Sequence, residues 1–348
     1  MARKVKQVET LYKDRSLYSS EDMFSPPAER LPHVIRFELT EGCNYGKCTY
    51  CGGFDGVRFR EKTLEEYKAH VDDVYARVHP ELADRLTRIF VGGGNGLAVK
   101  TNKLIDALQY TRHKFAKSNG GYRPRRIAIY GRTDSIKNKK DRGLWDLYEK
   151  GLLDLVYWGV ETGSTDLMKY VKKGVTQEDI LKAAAEISNT GVSTSVMIMP
   201  GLGGARFYEE HVNETALVLE YIKPKFLTFM GINASPNSEY TRRMAEEVSK
   251  GKNKPLKSDE VAMQMIEIIE KMQAFRTKVG CFSPEIDGVG CNPLTFKGFQ
   301  IYFNNCKKDL TRRLKVEFTT QWDARFYSRE RGHEHLAHLK PLLEVRVA

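Results

Sequence analysis

The 348 residues carry a formal net charge of +11, with 41% hydrophobic and 10% aromatic side chains. That composition can fill a core, which excludes wholesale disorder, and the length suits one large α/β domain with appendages or two ordinary domains. No apolar window reaches the length of a membrane span, and the N-terminal MARKVKQVETLYKDR has no apolar signal region, so a soluble, cytoplasmic protein with no membrane partner is expected.

Residues 1–32 read as an N-terminal extension ending in the Pro26-Pro27 turn. From His33 the chain alternates short β-rich runs with longer amphipathic ones. A strand over 33–40 leads to a cysteine-bearing loop and a helix over 64–78, whose start carries the capping-box pair Thr63 and Glu66. Strand 87–91 and helix 102–117 follow, then strand 125–130 with helix 142–150, and strand 153–160 with helix 177–189. Thr176 is placed to cap that helix and Gly191 to end it. Strand 192–199, helix 207–222, strand 225–231 and helix 259–275 complete the series. Alternation of this length implies parallel strands with right-handed crossovers. Six units suit an open or partial barrel, so the expected fold class is α/β, a partial (β/α)6 TIM-like barrel over residues 33–279. Residues 280–348 break the alternation and read as a C-terminal cap.

Ligands of parallel α/β folds collect at the carboxyl ends of the strands, which directs attention to the loops there. The first is TEGCNYGKCTYCGG, with Cys43, Cys48 and Cys51 inside nine residues. Six cysteines are too few for a disulfide scaffold in a chain this size, and the clustering favours metal ligation. A structural zinc site needs four ligands, commonly two close pairs, so a fourth would have to come from afar. An iron–sulfur cluster held by three thiolates instead leaves one iron open to an external ligand. On the residues alone both remain.

In the other loops, strand two ends in VGGGNG, strand four in YWGVETGS and strand five in VMIMPGLGG. Together and in this order, these segments resemble the radical S-adenosylmethionine (SAM) superfamily over roughly residues 33–240. The commonest superfamily spacing is C-x3-C-x2-C with an aromatic before the last cysteine; here Tyr50 is kept and the first gap is one residue longer. The nearest branch holds oxygen-independent coproporphyrinogen oxidases, tRNA methylthiotransferases and the Elongator catalytic subunit. The resemblance implies that Cys43, Cys48 and Cys51 bind a 4Fe-4S cluster whose fourth iron is chelated by SAM. It places the methionyl amino group of SAM at Gly92, Gly93 and Gly94, its polar part near Glu161 and Ser164, and its adenine region near Tyr50, Val196, Met197, Ile198 and Met199. A side chain at Gly93 is then expected to exclude SAM while sparing the cluster. The usual acidic residue after the glycines is absent, with Gly94 and Asn95 in its place. The chemistry implied is reductive cleavage of SAM to a 5'-deoxyadenosyl radical that abstracts hydrogen from substrate, in an oxygen-sensitive enzyme fed by an electron donor such as flavodoxin or ferredoxin.

Between Lys100 and Arg142 stand thirteen Lys and Arg against three Asp. Arg132, Lys137, Lys139, Lys140 and Arg142 follow the third strand and are expected at the active-site mouth, whereas Lys114, Lys117, Arg123, Arg125 and Arg126 precede it and belong near the opposite rim. Arg132, Lys137, Lys139 and Lys140 are accordingly nominated to hold an anionic small-molecule or peptide substrate, with tRNA as the alternative. A zinc-stabilised RNA-binding protein without radical chemistry is the reading from another class. Cys281, Cys291 and Cys306 have no compact ligand spacing and read as ordinary half-buried cysteines, an auxiliary cluster staying open. His211 reads as a surface residue of the fifth helix, the histidines of GHEHLAH as solvated, and Met263, Met265 and Met272 as core.

Overall fold

In the computed structural model, the described residues are Pro26, Glu29, 34–54, 56–78, 86–116, 124–139, 142–232, 234–272, 277–282 and 317–318. Lys140, Cys291, Cys306 and the GHEHLAH histidines lie outside them, as does most of the expected N-terminal extension and C-terminal cap. The residues divide into two units. One comprises 1–46, 54–159 and 182–194, the other 47–53, 160–181 and 195–348.

Each expected strand and helix of the alternation forms. The first unit begins with β1 (Val34–Glu38), the short hairpin of β2 (Thr40–Glu41) and β3 (Arg60–Glu61), and α1 (Leu64–Arg77). The capping box is made as the sequence implies: Thr63 Oγ1 accepts from the Glu66 amide at 3.1 Å, and the Glu66 carboxylate accepts from the Thr63 amide at 2.6 Å. β4 (Arg88–Gly92), α2 (Thr101–Lys114), β5 (Arg126–Gly131), α3 (Thr133–Lys137), α4 (Gly143–Glu149) and β6 (Leu155–Glu161) follow. Strand order here is β1-β4-β5-β6, all parallel, with Val34 opposite Arg88, Arg88 opposite Arg126 and Ala128 opposite Leu155. The strands RIFVG, RIAIYG and LVYWGVE are buried on both faces for nearly their whole length, as parallel strands covered by helices require.

The second unit continues from the end of β6 into α5 (Thr165–Tyr170) and the start of α6 (Gln177–Ser188), which ends in the first. After β7 (Ser193–Ile198) come α7 (Tyr208–Ile222), β8 (Phe226–Met230), α8 (Glu239–Ser249), α9 (Ser258–Lys271), β9 (Lys278–Phe282) and β10 (Glu317–Phe318). Its strands run β7-β8-β9-β10, again parallel. The sequence-based count of six strands thus falls short. The β-branched and aromatic run KVGCF adds β9 across the limit set at residue 279, and α8 begins at an Ser238 N-cap where no helix was expected. No helix of the described residues is long and apolar enough to cross a membrane.

Inside the first unit Phe90, Tyr130 and Tyr157 meet edge to face, Phe90 and Tyr130 with ring centroids 5.1 Å apart. The Tyr157 hydroxyl donates to Glu29 Oε1 at 2.6 Å, and burial holds its phenol well above the usual range. Glu29 is itself fully buried. It ion-pairs with Arg126 and, at 3.9 Å, with Arg88, the residues that open β5 and β4. The far-rim position expected for Arg126 therefore holds, with the N-terminal segment answering its charge. Glu29→Ala would strand these guanidinium groups, and we expect a loss of about 3 kcal/mol of unfolding free energy in a denaturant titration. A loss under about 0.5 kcal/mol would show the pair to be incidental.

Candidate active site

The β1–β4 register sets Glu38 opposite Gly92, so the two strands end together. Beyond those ends the chains stay in contact. The Leu39 amide donates to the Gly92 carbonyl at 3.4 Å, and the Gly94 amide to the Gly42 carbonyl at 3.0 Å. Glycine is required at this contact. Gly93 has φ +114°, and a Cβ there would lie 1.9 Å from Thr40 Oγ1; a Cβ on Gly94 would lie 2.8 Å from Cys43 Cβ. Thr40 is fully buried and its hydroxyl has no hydrogen-bond partner among the described residues. A side chain at Gly93 would therefore meet Thr40, at the start of the cysteine loop.

Asn95 occupies the place of the usual acid and is fully buried. Its amide nitrogen donates to Asn44 Oδ1 at 2.9 Å and Ser135 Oγ at 2.7 Å, and its oxygen accepts from the Arg132 amide at 3.1 Å. The Arg132 guanidinium pairs with Asp134 at 3.0 Å and covers the Tyr45 ring at 4.0 Å. Of the nominated substrate cations, Arg132 and Lys139 are 7% and 8% exposed. Lys139 donates to the Val99 carbonyl, and burial pulls its ammonium down to about 8. Neither faces outward. Lys137 is half-buried at the end of α3.

In the second unit the Cys48–Cys51 turn closes by the Cys51 amide donating to the Cys48 carbonyl at 3.2 Å. Thr49 anchors it through its amide and hydroxyl to the Val171 carbonyl, at 3.0 and 3.3 Å. Tyr50 is buried among Leu167, Tyr170, Met199, Leu202 and Phe207. Lys173, only 4% exposed, directs its ammonium to the Tyr50 hydroxyl at 3.3 Å and to Glu161 Oε1 at 3.2 Å. Glu161 ends β6 at φ +67°, a left-handed conformation that costs a non-glycine residue about 1 kcal/mol or more. Its carbonyl accepts from the Met199 amide at 3.0 Å. Val196, Ile198 and Met199 are buried and Met197 half-buried at the end of β7. Ser164 is an N-cap, accepting from the Leu167 amide at 2.9 Å and donating to Glu210, so its hydroxyl serves α5. Lys173 escaped the sequence reading because a KKG run reads as solvated.

None of the three loop cysteines is in a disulfide; Cys43 and Cys48 are half-buried and Cys51 exposed. The loop crosses from one unit to the other between Gly46 and Lys47. Among the described residues no three His, Cys, Asp or Glu side chains are gathered at metal-binding spacing, these cysteines included.

His211 is not a surface residue: it is fully buried. Its Nδ1 lies 2.7 Å from Thr162 Oγ1 and 3.2 Å from Thr215 Oγ1, next to the turn that carries Glu161.

Residues 37–216 match the family model described as the Radical SAM superfamily. Over 231 residues the chain is 22% identical to 4'-phospho-dehydrooxetanocin synthase of Priestia megaterium, covering 60% of this chain and 30% of that protein. Over 201 residues it is 20% identical to the heme chaperone HemW of Buchnera aphidicola, covering 56% of this chain and 49% of that one. The aligned region thus spans less than half of either curated relative. The cobalamin-dependent S-adenosylmethionine radical enzyme OxsB, solved with aqua-cobalamin and S-adenosylmethionine bound, shares the fold with a TM-score of 0.51 at 15% identity, over 91% of this chain and 50% of that chain.

The buried histidine yields a pH expectation. Burial pulls the His211 imidazole down to about 4 from an ordinary value of 6.5, against a smaller upward contribution from the Met199 backbone. The unfolded chain therefore takes up a proton between those values that the folded chain refuses. Stability should be complete above pH 6.5 and fall by about 3 kcal/mol as pH drops towards 4. Denaturant melts of His211→Gln should lack this component of the slope. An unchanged slope would mean that His211 protonates in the folded protein as readily as in water.

Proposed function

Because the chain belongs to the radical SAM superfamily, we propose that Cys43, Cys48 and Cys51 ligate a 4Fe-4S cluster that works with SAM on an anionic small-molecule or peptide substrate. Membership supports an enzyme with the general radical SAM reaction over the zinc-stabilised RNA-binding alternative. One observation carries the assignment: three thiols outside any disulfide, on nine residues of one loop, inside the region that matches the family.

The donor types present suit the two groups. Three thiolates are the donors an iron–sulfur cluster takes, and three rather than four leave an iron for SAM. The buried Thr40 hydroxyl, without a hydrogen-bond partner among the described residues and beside the side-chain-free Gly93, is assigned as polar lining for a small polar group. The Gly92–Gly94 turn is assigned the methionyl amino group, and the Glu161–Lys173 pair the other polar parts of SAM. Tyr50 with Val196–Met199 is assigned the adenine region. When bound, cluster and SAM supply a one-electron reductive cleavage of the sulfonium; the chain's own side chains bind, orient and exclude water. Lys173 holds the Glu161 carboxylate and the Tyr50 hydroxyl at fixed distances, so that neither needs to reorganise when ligand arrives.

The substrate reading narrows with the geometry. Arg132 and Lys139 are almost wholly buried, so half-buried Lys137, together with Lys140 outside the described residues, is the part of the basic loop assigned to substrate anions. A one-electron donor of the flavodoxin or ferredoxin kind would supply the reductant.

Two sets of variants test this reading after anaerobic reconstitution. Alanine at Cys43, Cys48 or Cys51 should abolish SAM cleavage; cleavage at the normal rate in any of the three would remove that residue from the ligand set. Lys173→Met should retain wild-type iron and sulfide while its SAM Kd rises about tenfold, the loss of one charge-assisted hydrogen bond. An unchanged Kd would assign Lys173 to packing alone.

A further inference from the structure

The lengthened first gap and the missing acid after the glycines meet at one residue. Asn44 and Tyr45 are two of the four residues between Cys43 and Cys48, and both are gripped from the ends of β4 and β5. The grip on Asn44 is the hydrogen bond from Asn95 at 2.9 Å, and the grip on Tyr45 is the Arg132 guanidinium at 4.0 Å from its ring. The two grips are joined, because the Arg132 amide donates to Asn95 Oδ1 and Asn95 also donates to Ser135 of α3. An acid at position 95 could accept from Arg132 but could donate to neither Asn44 nor Ser135.

We propose that Asn95 and Arg132 are positioning residues that clamp the four-residue gap and fix Cys43 before any cluster is bound. The proposal rests on the reading of Cys43 as a cluster ligand, and deepens it. Three features argue for a built clamp. Asn95 is fully buried with both amide protons and its carbonyl oxygen engaged, so the site tolerates little but an amide. Arg132 is 7% exposed and satisfied inside the chain, which explains why a cation at the edge where ligands collect points inward. Cys43 itself is pressed against Gly94, the neighbour of Asn95, so the clamp and the thiol share one backbone turn. Arg132 thereby leaves the set of substrate cations and joins the support of the cysteine loop.

The test uses the full chain stripped of iron by a chelator, so that it does not depend on the cluster. Alkylation of Cys43 by iodoacetamide is timed by peptide mass spectrometry, with exposed Cys51 as the internal reference. Asn44→Ala and Asn95→Asp should each raise the Cys43 rate relative to Cys51 by about tenfold, the upper end for one partly buried hydrogen bond lost. Tyr45→Leu should raise it less, by about threefold, and combining it with Arg132→Met should add nothing further. Asn44 is exposed, so its variant will fold and keeps the question open to measurement even where a change at the buried Asn95 does not. Unchanged Cys43 rates in Asn44→Ala and Tyr45→Leu would overturn the clamp, and so would a rise matched at Cys51, which reports general loosening. In the reconstituted protein Asn44→Ala should lose iron to a chelator about tenfold faster at unchanged Tm. A wild-type chain that takes up no cluster would defeat the ligand reading instead, while the alkylation rates would still decide the clamp.

Discussion

The hydrogen bond from the Gly94 amide to the Gly42 carbonyl fastens the cysteine loop to the end of the neighbouring parallel strand. It exists because β1 and β4 are in a register that ends both strands together, and because neither partner carries a side chain. Within the first unit, the placement of Cys43, the turn at Gly93 and the entry to Asn95 all adjoin that contact. A loop whose backbone is fixed by a strand end does not need a long secondary structure of its own. The superfamily resemblance attributes the glycines to SAM, and the structure gives them an earlier duty in seating the loop. These uses are compatible, because a turn that must touch both the loop and a ligand has still less room for a Cβ.

Charge is managed in the same local way. The chain carries +11, yet several cations of the segment between Lys100 and Arg142 have partners among the described residues. Arg126 meets Glu29, Lys114 meets Asp72 at 2.6 Å, Arg132 meets Asp134, and Lys139 meets a backbone carbonyl. The buried pairs matter more to the fold than the exposed ones, since Glu29 has no water to fall back on while Lys169 with Asp166 has plenty. The site in the second unit follows the buried rule: Lys173 and Glu161 are 6% and 13% exposed in their side chains and neutralise each other where a ligand is expected.

Much of this was legible in the sequence because parallel α/β units write themselves in period and punctuation. The capping box at Thr63 and Glu66 formed as read, and the run from 33 to 275 gave each expected strand and helix in order. What escaped was decided by tertiary placement. A short helix such as α5 has too few residues to show a period, so the capping role of Ser164 was not legible in the sequence. His211 shared its helix face with Thr215, Val218 and Ile222, all buried, which was a usable signal; a histidine simply carries no apolar mark of its own. Lys173 had no such signal, because only the fold brings Glu161 and Tyr50 to it. Asn95 is the instructive case: an absent acid was visible, but its replacement's partners Asn44 and Ser135 are far along the chain.

The most direct measurement of the central claim is the electron paramagnetic resonance of the anaerobically reconstituted, dithionite-reduced chain with and without SAM. The account requires one 4Fe-4S cluster per chain, a signal from its reduced form, and a change in that signal when SAM is added, because three thiolates leave one iron to which SAM binds. A chain that retains zinc and no iron, or a cluster whose signal is indifferent to SAM, would contradict it.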